Sequence, residues 1–405
     1  MKPARKHFEY MKFTRMELSG SLGDLGTLLP LSTALIVING LNPTSIFLCI
    51  GLFYILSGVY FQVTCPVEPM KVISAYAIAA GISASQLQAS CLWIFAILAF
   101  IGMTGFIDVI SRVVGKAVIR GIQLSTGILL LTQGFHLVLG KSSVQSLLGA
   151  GEPYLTIQQV GSVPIGIVLG TIGGIIILSL LDNKRVPAAL VAIVAGVTCG
   201  IIFGKHDGWQ QFSLGFHLPE ILPYGLPTLN DLTFAFLILA VPQIPMTVGN
   251  AIIANADLSR QYFQERSHRV TNKSLCLSMA LANLGCFFVA GIPLCHGAGG
   301  LASRYRFGAR TAGSNMIIGS AFLLTALFLG PQLMLIIQLI PLSILGMLLV
   351  FAGIQLSLTI IDIDKRNDLF IAVVILGLTL TTNLAIGFLV GILLDHLLRW
   401  MGRSI

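Results

Sequence analysis

The sequence predicts an all-α polytopic membrane protein with about 14 transmembrane segments, built as a 7+7 inverted repeat with two broken half-helices facing a central site. Composition is the first reason. Of 405 residues, 55% are hydrophobic and 10% are charged, and the mean hydropathy is +0.91, whereas soluble domains carry about 25% charged residues. The second reason is a succession of apolar runs, and the third is that basic residues alternate with them as topology determinants do.

The apolar runs define the predicted spans, although several are short. They occupy 19–39, 43–61, 69–83, 87–106, 122–139, 162–181, 186–204, 231–254, 273–290, 295–303, 311–329, 331–357, 369–384 and 385–400. We expect a cytoplasmic tail over 1–18, a first repeat over 19–205, an extracytoplasmic connection over 206–230 and a second repeat over 231–401. The basic, polar N-terminus does not resemble a cleaved signal peptide.

The distribution of basic residues predicts the orientation. With the N-terminus in the cytoplasm, 21 of the 24 lysines and arginines fall on the cytoplasmic side, and Lys71, Lys141 and Lys205 do not. The cytoplasmic set lies in the tail, including Lys12 and Arg15, and at Arg112, Lys116, Arg120, Lys184, Arg185, Arg260, Arg266, Arg269, Lys273, Arg304, Arg306, Arg310, Lys365, Arg366, Arg399 and Arg403. We therefore interpret the net charge of +8 as a topology signal and expect no nucleic-acid partner.

Four segments interrupt the apolar pattern with glycine, proline or polar residues. In the first half they are GSLGDLGTLLP (20–30) and TCPVEPMKVISA (64–75). In the second half they are AVPQIPMTVGNA (240–251) and GIPLCHGAGGLA (291–302). Each pair occupies the first and third spans of its half, and an odd number of spans per repeat inverts the second repeat. Interrupted segments at corresponding places in two halves indicate the binding site of a secondary transporter.

Broken helices have a physical consequence that predicts the ligand. Backbone that leaves the helix inside a membrane persists only where it lines a cavity. Helices that start near Pro69 and near Cys295 would direct free N–H groups and positive dipole ends to one site. The run from Gly297 to Gly300 would let a ligand approach the backbone closely. Such a site favours a small anion.

The three arginines that follow the second half-helix and the seven cysteines have simpler interpretations. Arg304, Arg306 and Arg310 follow the second half-helix, so we expect them at the cytoplasmic face, as topology determinants or as residues that attract the anion. The seven cysteines lie in or beside apolar runs without paired metal-ligand spacing. We therefore expect neither a metal nor a cofactor.

The candidate substrate-binding residues lie in the four interrupted segments. They are Asp24, Gly26, Thr27, Glu68, Pro69, Met70, Lys71, Gln243, Thr247, Asn250, Cys295, His296, Gly297, Ala298, Gly299 and Gly300. Asp24, Glu68 and His296 are also the candidates for proton coupling, because ionisable residues within spans are functional by default.

Each of these candidates has a structural alternative. Asp24 could bind backbone amides or Lys71. Glu68 and Lys71, three residues apart on one helical face, could neutralise each other. His296 could cap a helix, and the polar residues of the 240–251 segment could simply bond to other helices.

These segments resemble a known family. GSLGDLGTLLP, CPVEPMK and PLCHGAGGLASRYRFGAR are similar to signature segments of the high-affinity molybdate transporter family, a branch of the sulfate permease (SulP) superfamily, and QIPMTVGNAIIANADLS is similar to a fourth. The resemblance covers nearly the whole chain. It implies a core (transport) domain that moves against a gate (scaffold) domain, and a homodimer. The family segment has Gln where this chain has Glu68, and a charged carboxylate there would repel an anion.

Residues and resemblance together predict secondary active transport of a tetrahedral oxyanion by alternating access. The resemblance places molybdate before sulfate, because the two dianions have similar hydrogen-bonding needs. Proton symport and facilitated or exchange transport both stay open. We expect a plasma membrane (bacterial inner membrane) location with cytoplasmic termini. Because the sequence stops at Ile405, we also expect it to lack the C-terminal cytoplasmic regulatory domain of typical sulfate permeases.

Other classes of protein fit the sequence less well. An intramembrane hydrolase would need a nucleophile beside a base, but adjacent Cys295 and His296 would point about 100° apart on a helix. A nucleobase permease would be expected to place acidic residues facing the pocket, but this chain has Gln243 and Cys295 in those neighbourhoods. An anion channel would be expected to carry repeated rings of charge, which the sequence does not show.

Overall fold

The computed structural model describes residues 10–107, 114–181, 183 and 186–401. In the first half the helices are α1 (Arg15–Ser21), α2 (Leu25–Asn39), α3 (Pro43–Phe61), α4 (Lys71–Ala80), α5 (Ala84–Thr104), α6 (Lys116–Val138), α7 (Ser143–Leu148), α8 (Ile165–Leu180) and α9 (Ala188–Phe203). Strand β1 (Glu68–Pro69) precedes α4, and the hairpin of β2 (Gln159–Val160) and β3 (Val163–Pro164) precedes α8. Arg112, Lys184, Arg185, Arg403 and the first nine residues of the predicted tail lie outside the described residues.

The second half begins with α10, a continuous helical run over 229–263 in which two π-helical stretches, Ala235–Ala240 and Thr247–Ala254, alternate with α-helix. The elements that follow are α11 (Asn272–Phe288), β4 (Leu294–Cys295), α12 (Ala298–Arg306), α13 (Gly313–Leu329), α14 (Leu333–Gln338), α15 (Leu342–Ser357), α16 (Arg366–Thr381) and α17 (Leu384–Met401). The π-helical stretches flank two prolines, which cannot donate the backbone bond of a regular α-helix.

A helix overlaps each of the fourteen predicted apolar segments. Within the described chain, seven helical runs are long and apolar enough to cross a membrane, or eight if α1 and α2, bent by 41°, form one span. The segment 331–357 was predicted as one run, and the structure divides it. Helix α14 ends at Gln338 and α15 begins after Pro341, because proline disfavours helical backbone at the residue before it.

The helices pack around three apolar clusters. The largest lies mainly among α2–α5 and α10–α13. The second joins α6, α16 and α17, and the third joins α8, α9 and α15. The last two clusters meet where α6 crosses α15, so that α6, α8, α9 and α15–α17 form a second group of helices beside the first.

Glycines bring α6 and α15 into close contact. A methyl group added at Gly134 or Gly346 would collide with the carbonyl oxygen of the other residue, and the same reciprocal relation joins Gly127 and Gly353. Small residues on both sides of a helix crossing allow backbones to approach closely within a membrane. This crossing forms the wall of the second helix group that faces the candidate site.

Two buried carboxylates anchor loops to helix ends. Glu152 accepts hydrogen bonds from the backbone N–H groups of Leu342 and Ser343, each at 2.8 Å, and so caps the start of α15. Glu17 on α1 accepts from the backbone of Arg310 at 3.1 Å and of Thr311 at 3.0 Å. Carboxylates are favoured where free N–H groups cluster. The second contact ties the beginning of the chain to the loop that follows α12.

Candidate functional site

Two short strands meet at the centre of the larger helix group. Strand β1 pairs antiparallel with β4, with Glu68 opposite Cys295 and Pro69 opposite Leu294. Helix α4 begins at Lys71, two residues after the end of β1, and α12 begins at Ala298, three residues after the end of β4. Because the strands are antiparallel, the two helices leave the pair in opposite directions, with their first turns beside it. The predicted helix starts near Pro69 and Cys295 are therefore confirmed.

The first turn of α4 is occupied by a side chain from the second half of the chain. Gln243 Oε1 accepts hydrogen bonds from the backbone N–H groups of Val72 at 3.0 Å and Ile73 at 3.2 Å. Its amide nitrogen donates to Thr247 Oγ1 at 2.9 Å. Gln243 therefore holds α10 against α4, and Thr247 fixes the Gln243 amide in place. The prediction of free N–H groups at the start of α4 is wrong for Val72 and Ile73, because Gln243 already binds them.

Glu68 and Lys71 lie at the junction of the two half-helices. Glu68 Oε2 is 3.0 Å from Lys71 Nζ, and the Glu68 side chain is 1% exposed whereas that of Lys71 is 16% exposed. A methyl group added at Gly297 or Gly300 would collide with the Glu68 carboxylate. The carboxylate therefore rests directly on the glycine-rich start of α12, where backbone N–H groups favour an anion.

A cavity of about 550 Å³ begins at this junction and lies between the two helix groups. It is lined by eight of the candidate residues, namely Asp24, Gly26, Thr27, Glu68, Lys71, Asn250, Gly299 and Gly300. The opposite wall includes Gln123 and Leu130 of α6 and Phe351 of α15. The cavity extends to Leu181 and Arg306, which are exposed, so a path leads from the buried Glu68 to the protein surface.

The other eight candidates do not line this cavity. They are Pro69, Met70, Gln243, Thr247, Cys295, His296, Gly297 and Ala298, and all are buried within the larger helix group. They stand behind the lining residues and support the strand pair and the two helix starts.

Both ring nitrogens of His296, one of these supporting residues, have hydrogen-bond partners. Its Nδ1 lies 2.7 Å from the carbonyl oxygen of Pro66, and its Nε2 lies 3.0 Å from the hydroxyl of Ser278. The ring also contacts Phe53 and Phe61, with centroids 4.5 and 5.6 Å away. A carbonyl only accepts, so Nδ1 carries a proton and donates it to Pro66. His296 therefore links the strand segment to α11 through both ring nitrogens.

Asp24 has a partner that the sequence did not predict. It lies in the bend between α1 and α2, and its Oδ1 is 3.2 Å from Arg304 Nη1, with both side chains fully buried. Tyr54 donates to Asp24 Oδ2 at 2.6 Å. The interpretation of Arg304 as a cytoplasmic topology residue is therefore wrong, and so is Lys71 as the partner of Asp24. The backbone of α12 at Arg304 packs on Gly23, which directs this arginine inward.

The remaining donors of Arg304 are satisfied across several elements. Nε donates to Thr64 at 2.9 Å, Nη2 donates to Ser314 and Asn315 at 3.1 and 3.0 Å, and Nη1 donates to the carbonyl of Ser21 at 3.3 Å. A buried charge of this kind requires pairing and full hydrogen bonding. Asp24, an aspartate inside a predicted span, indicated that a buried cation should lie nearby. The sequence did not identify that cation, because Arg304, Arg306 and Arg310 all lie at or just after the end of the same half-helix.

A second cavity of about 390 Å³ adjoins the first, and both are lined by Gln123 and Asn250. Lys116 and Arg120 line its outer part. Both cations pair with Asp362, and Arg120 also donates to Gln123 at 2.7 Å. Gln123 and Asn250 thus separate the two cavities. Across the described chain, no group of three or more His, Cys, Asp or Glu residues could hold a metal ion.

Comparison with solved structures shows which known fold this chain has. The chain is similar to the transmembrane domain of a cyanobacterial bicarbonate transporter, BicA, with a TM-score of 0.66 and 17% identity over 95% of this chain and 98% of that one. It is also similar to SLC26A9, with a TM-score of 0.65 and 15% identity over 94% of this chain and 64% of that one. Its fold is therefore that of the SulP/SLC26 membrane transporters.

Sequence comparison then gives the family. A family model described as "Molybdate transporter of MFS superfamily" matches residues 16–130 and 235–356. Molybdate transporter 2 of Arabidopsis thaliana is 30% identical over 95% of this chain and 87% of its own, and molybdate transporter 1 of the same plant is 29% identical over 95% and 88%. The chain belongs to this molybdate transporter family, which confirms the predicted resemblance. It is a multi-pass membrane transporter and not an enzyme.

Proposed function

We propose that this protein is a secondary active transporter that takes up a tetrahedral oxyanion, with molybdate as its principal substrate, by alternating access. The observation that carries the proposal is the cavity that begins at two half-helix starts and ends at the surface, in a member of the molybdate transporter family. The start of α12 favours an anion, its glycines admit close approach, and Lys71 at the start of α4 adds a positive charge. Sulfate is the alternative substrate, because it has the same shape and charge.

Helix contacts support the predicted inverted repeat. Under the predicted correspondence, α2, α3, α4, α5, α6, α8 and α9 match α10, α11, α12, α13, α15, α16 and α17. Contacts then occur in exchanged pairs: α5 packs on α11 as α13 packs on α3, and α6 packs on α16 as α15 packs on α8. Likewise α6 packs on α17 as α15 packs on α9, and α2 packs on α15 as α10 packs on α6. Such exchange is expected of two repeats related by a twofold axis in the membrane plane.

The two helix groups correspond to a core domain and a gate domain. The core comprises α1–α5 and α10–α13, and the gate comprises α6, α8, α9 and α15–α17. The cavity lies at their boundary, where relative movement would expose the site alternately to each side. Its rim includes Arg306, which we assign to the cytoplasmic side, so the conformation described here is inward-facing.

The remaining features of the proposal follow the sequence prediction. The repeats extend over 19–205 and 231–401, joined by an extracytoplasmic connection over 206–230. Both termini lie in the cytoplasm, the protein resides in the plasma membrane (bacterial inner membrane), and it forms a homodimer. Transport is coupled to protons, with Asp24, Glu68 and His296 as the candidate carriers. An anion channel or a nucleobase permease is the alternative from another class.

Uptake into proteoliposomes tests the function. Radiolabelled molybdate is supplied outside, with excess unlabelled sulfate in one series and an inward proton gradient in another. We expect saturable uptake that resists sulfate and accelerates with the gradient. Loss of uptake in the series with excess sulfate would show a general oxyanion permease, non-saturable flux would indicate a channel, and no flux above empty liposomes would overturn the proposal.

A further inference from the structure

We propose that the carboxylate of Glu68 is a tethered competitor of the transported oxyanion, so that anion binding requires Glu68 to take up a proton. This inference rests on the proposed function, because it concerns the same site. It assigns proton coupling to one residue and explains how the proton changes affinity.

The Glu68 carboxylate lies beside the start of α12. Glu68 lines the cavity, and its two carboxylate oxygens lie against Gly297 and Gly300 at the start of α12. Gly300 lines the cavity, and an anion there would approach backbone N–H groups closely. An ionised carboxylate in that position presents its own negative charge to the same donors. The oxyanion and the charged form of Glu68 therefore compete for the same backbone N–H donors.

Charged and titratable groups from several elements lie around Glu68. Lys71, on its own helix, forms an ion pair with it at 3.0 Å. Asp24, in the bend between α1 and α2, lines the same cavity, and its charge is balanced by Arg304. Cys295 of β4 lies directly opposite Glu68 in the strand pair. When Glu68 is ionised, it neutralises Lys71, and a dianion gains little from that lysine. When Glu68 is protonated, the charge of Lys71 is available to the substrate.

The other two coupling candidates are held in a different way. Asp24 also lines the cavity, but it is bonded to Arg304 and Tyr54, which are buried within the core. His296 uses both ring nitrogens in bonds to Pro66 and Ser278. Glu68 differs because it lines the cavity together with its partner Lys71, whose side chain is partly exposed. A proton and an oxyanion that enter by this cavity can therefore reach the same pair.

Molybdate binding to the purified full-length protein tests this assignment. Titration calorimetry is carried out from mildly acidic to mildly alkaline pH, in buffers of different ionisation enthalpy, for the wild type, Glu68→Gln and Glu68→Asp. The wild type should bind molybdate more weakly as pH rises and should take up about one proton per anion. The reason is that the bound dianion and the ionised carboxylate of Glu68 repel each other. Glu68→Asp should keep this behaviour, since it keeps the titrating group.

Glu68→Gln should bind molybdate without proton uptake and with little pH dependence. In alkaline buffer its affinity should exceed that of the wild type on the order of tenfold or more, because the opposing charge is gone. Glu152→Gln is the matched control. It neutralises another buried glutamate, outside the cavity, and should retain the pH dependence of the wild type. Thermal unfolding of each variant identifies any effect of misfolding.

The outcomes separate this inference from the proposed function. If Glu68→Gln binds molybdate with the pH dependence and proton uptake of the wild type, or binds it more weakly in alkaline buffer, the role of Glu68 is overturned and the transport function stands. If the wild type binds neither molybdate nor sulfate at any pH, the proposed function fails and this inference fails with it. A Glu68→Asp variant that folds but takes up no proton would also contradict the assignment.

Discussion

The carboxylate of Asp24 and the guanidinium of Arg304 form an ion pair at 3.2 Å, with both side chains fully buried. The pair joins the bend before α2 to the last turn of α12. It therefore connects the interrupted helix of the first half to the half-helix of the second. Tyr54 and Asn315 extend the network into α3 and α13, so one arginine links the bend before α2 to both of these helices.

Loss of either partner should destabilise the fold. Asp24→Asn or Arg304→Met leaves one buried charge without its counterion, which costs about 3–5 kcal/mol. The double variant removes both charges and should unfold at a higher temperature than either single variant. Thermal unfolding in detergent measures the three effects as a double-mutant cycle. Strictly additive losses would show that the two side chains are not coupled.

Gly299→Val should reduce oxyanion affinity without affecting folding. A methyl group added at Gly299 would lie 3.9 Å from Lys71 Nζ and meets no nearer neighbour, so the side chain would project into the cavity at the start of α12. We expect the Kd for molybdate to rise on the order of tenfold or more, because the anion could no longer approach the backbone amides.

Gly377→Val is the control for this steric prediction. Gly377 lies on α16, is exposed and has nothing near an added methyl group. It should change neither affinity nor uptake. Normal affinity in the Gly299→Val variant would show that the oxyanion does not bind at the start of α12.

Gln243→Leu should destabilise the junction between α10 and α4. The leucine cannot accept the hydrogen bonds of Val72 and Ile73, and each buried N–H without a partner costs about 1–3 kcal/mol. Gln243→Glu keeps an acceptor for both groups and serves as the comparison. Thermal unfolding checks stability, and equal melting temperatures for the leucine variant and the wild type would contradict the capping role of Gln243.

His296→Phe should lower stability and leave the pH profile of molybdate binding unchanged. The substitution keeps an aromatic ring beside Phe53 and Phe61 but removes the bonds to Pro66 and Ser278, at a cost of about 1–3 kcal/mol. The pH profile should persist, because both ring nitrogens are bonded within the core and His296 does not line the cavity. A flat profile in this variant, with Glu68 intact, would assign the coupling to His296 instead.

Much of the architecture could be predicted from local features of the chain. Apolar runs predicted where helices lie, because burying apolar surface in lipid requires such runs. Prolines and glycines predicted that helices begin near Pro69 and Cys295, because proline lacks a backbone donor and glycine admits unusual backbone. Asp24, an ionisable residue inside a predicted span, predicted a buried functional or structural group. These properties depend on neighbouring residues, so the sequence by itself determined them.

Only the tertiary structure decided which distant residues meet. Glu68 rests on Gly297 and Gly300, and Asp24 pairs with Arg304, although more than half the chain separates each pair. Arg304 is buried and Arg306 is exposed, yet both occur in the same basic stretch. Hydrophobic pattern cannot distinguish them, because the direction of a side chain at the end of a short helix depends on what packs against that helix. The close approach of α12 to Gly23 made that choice.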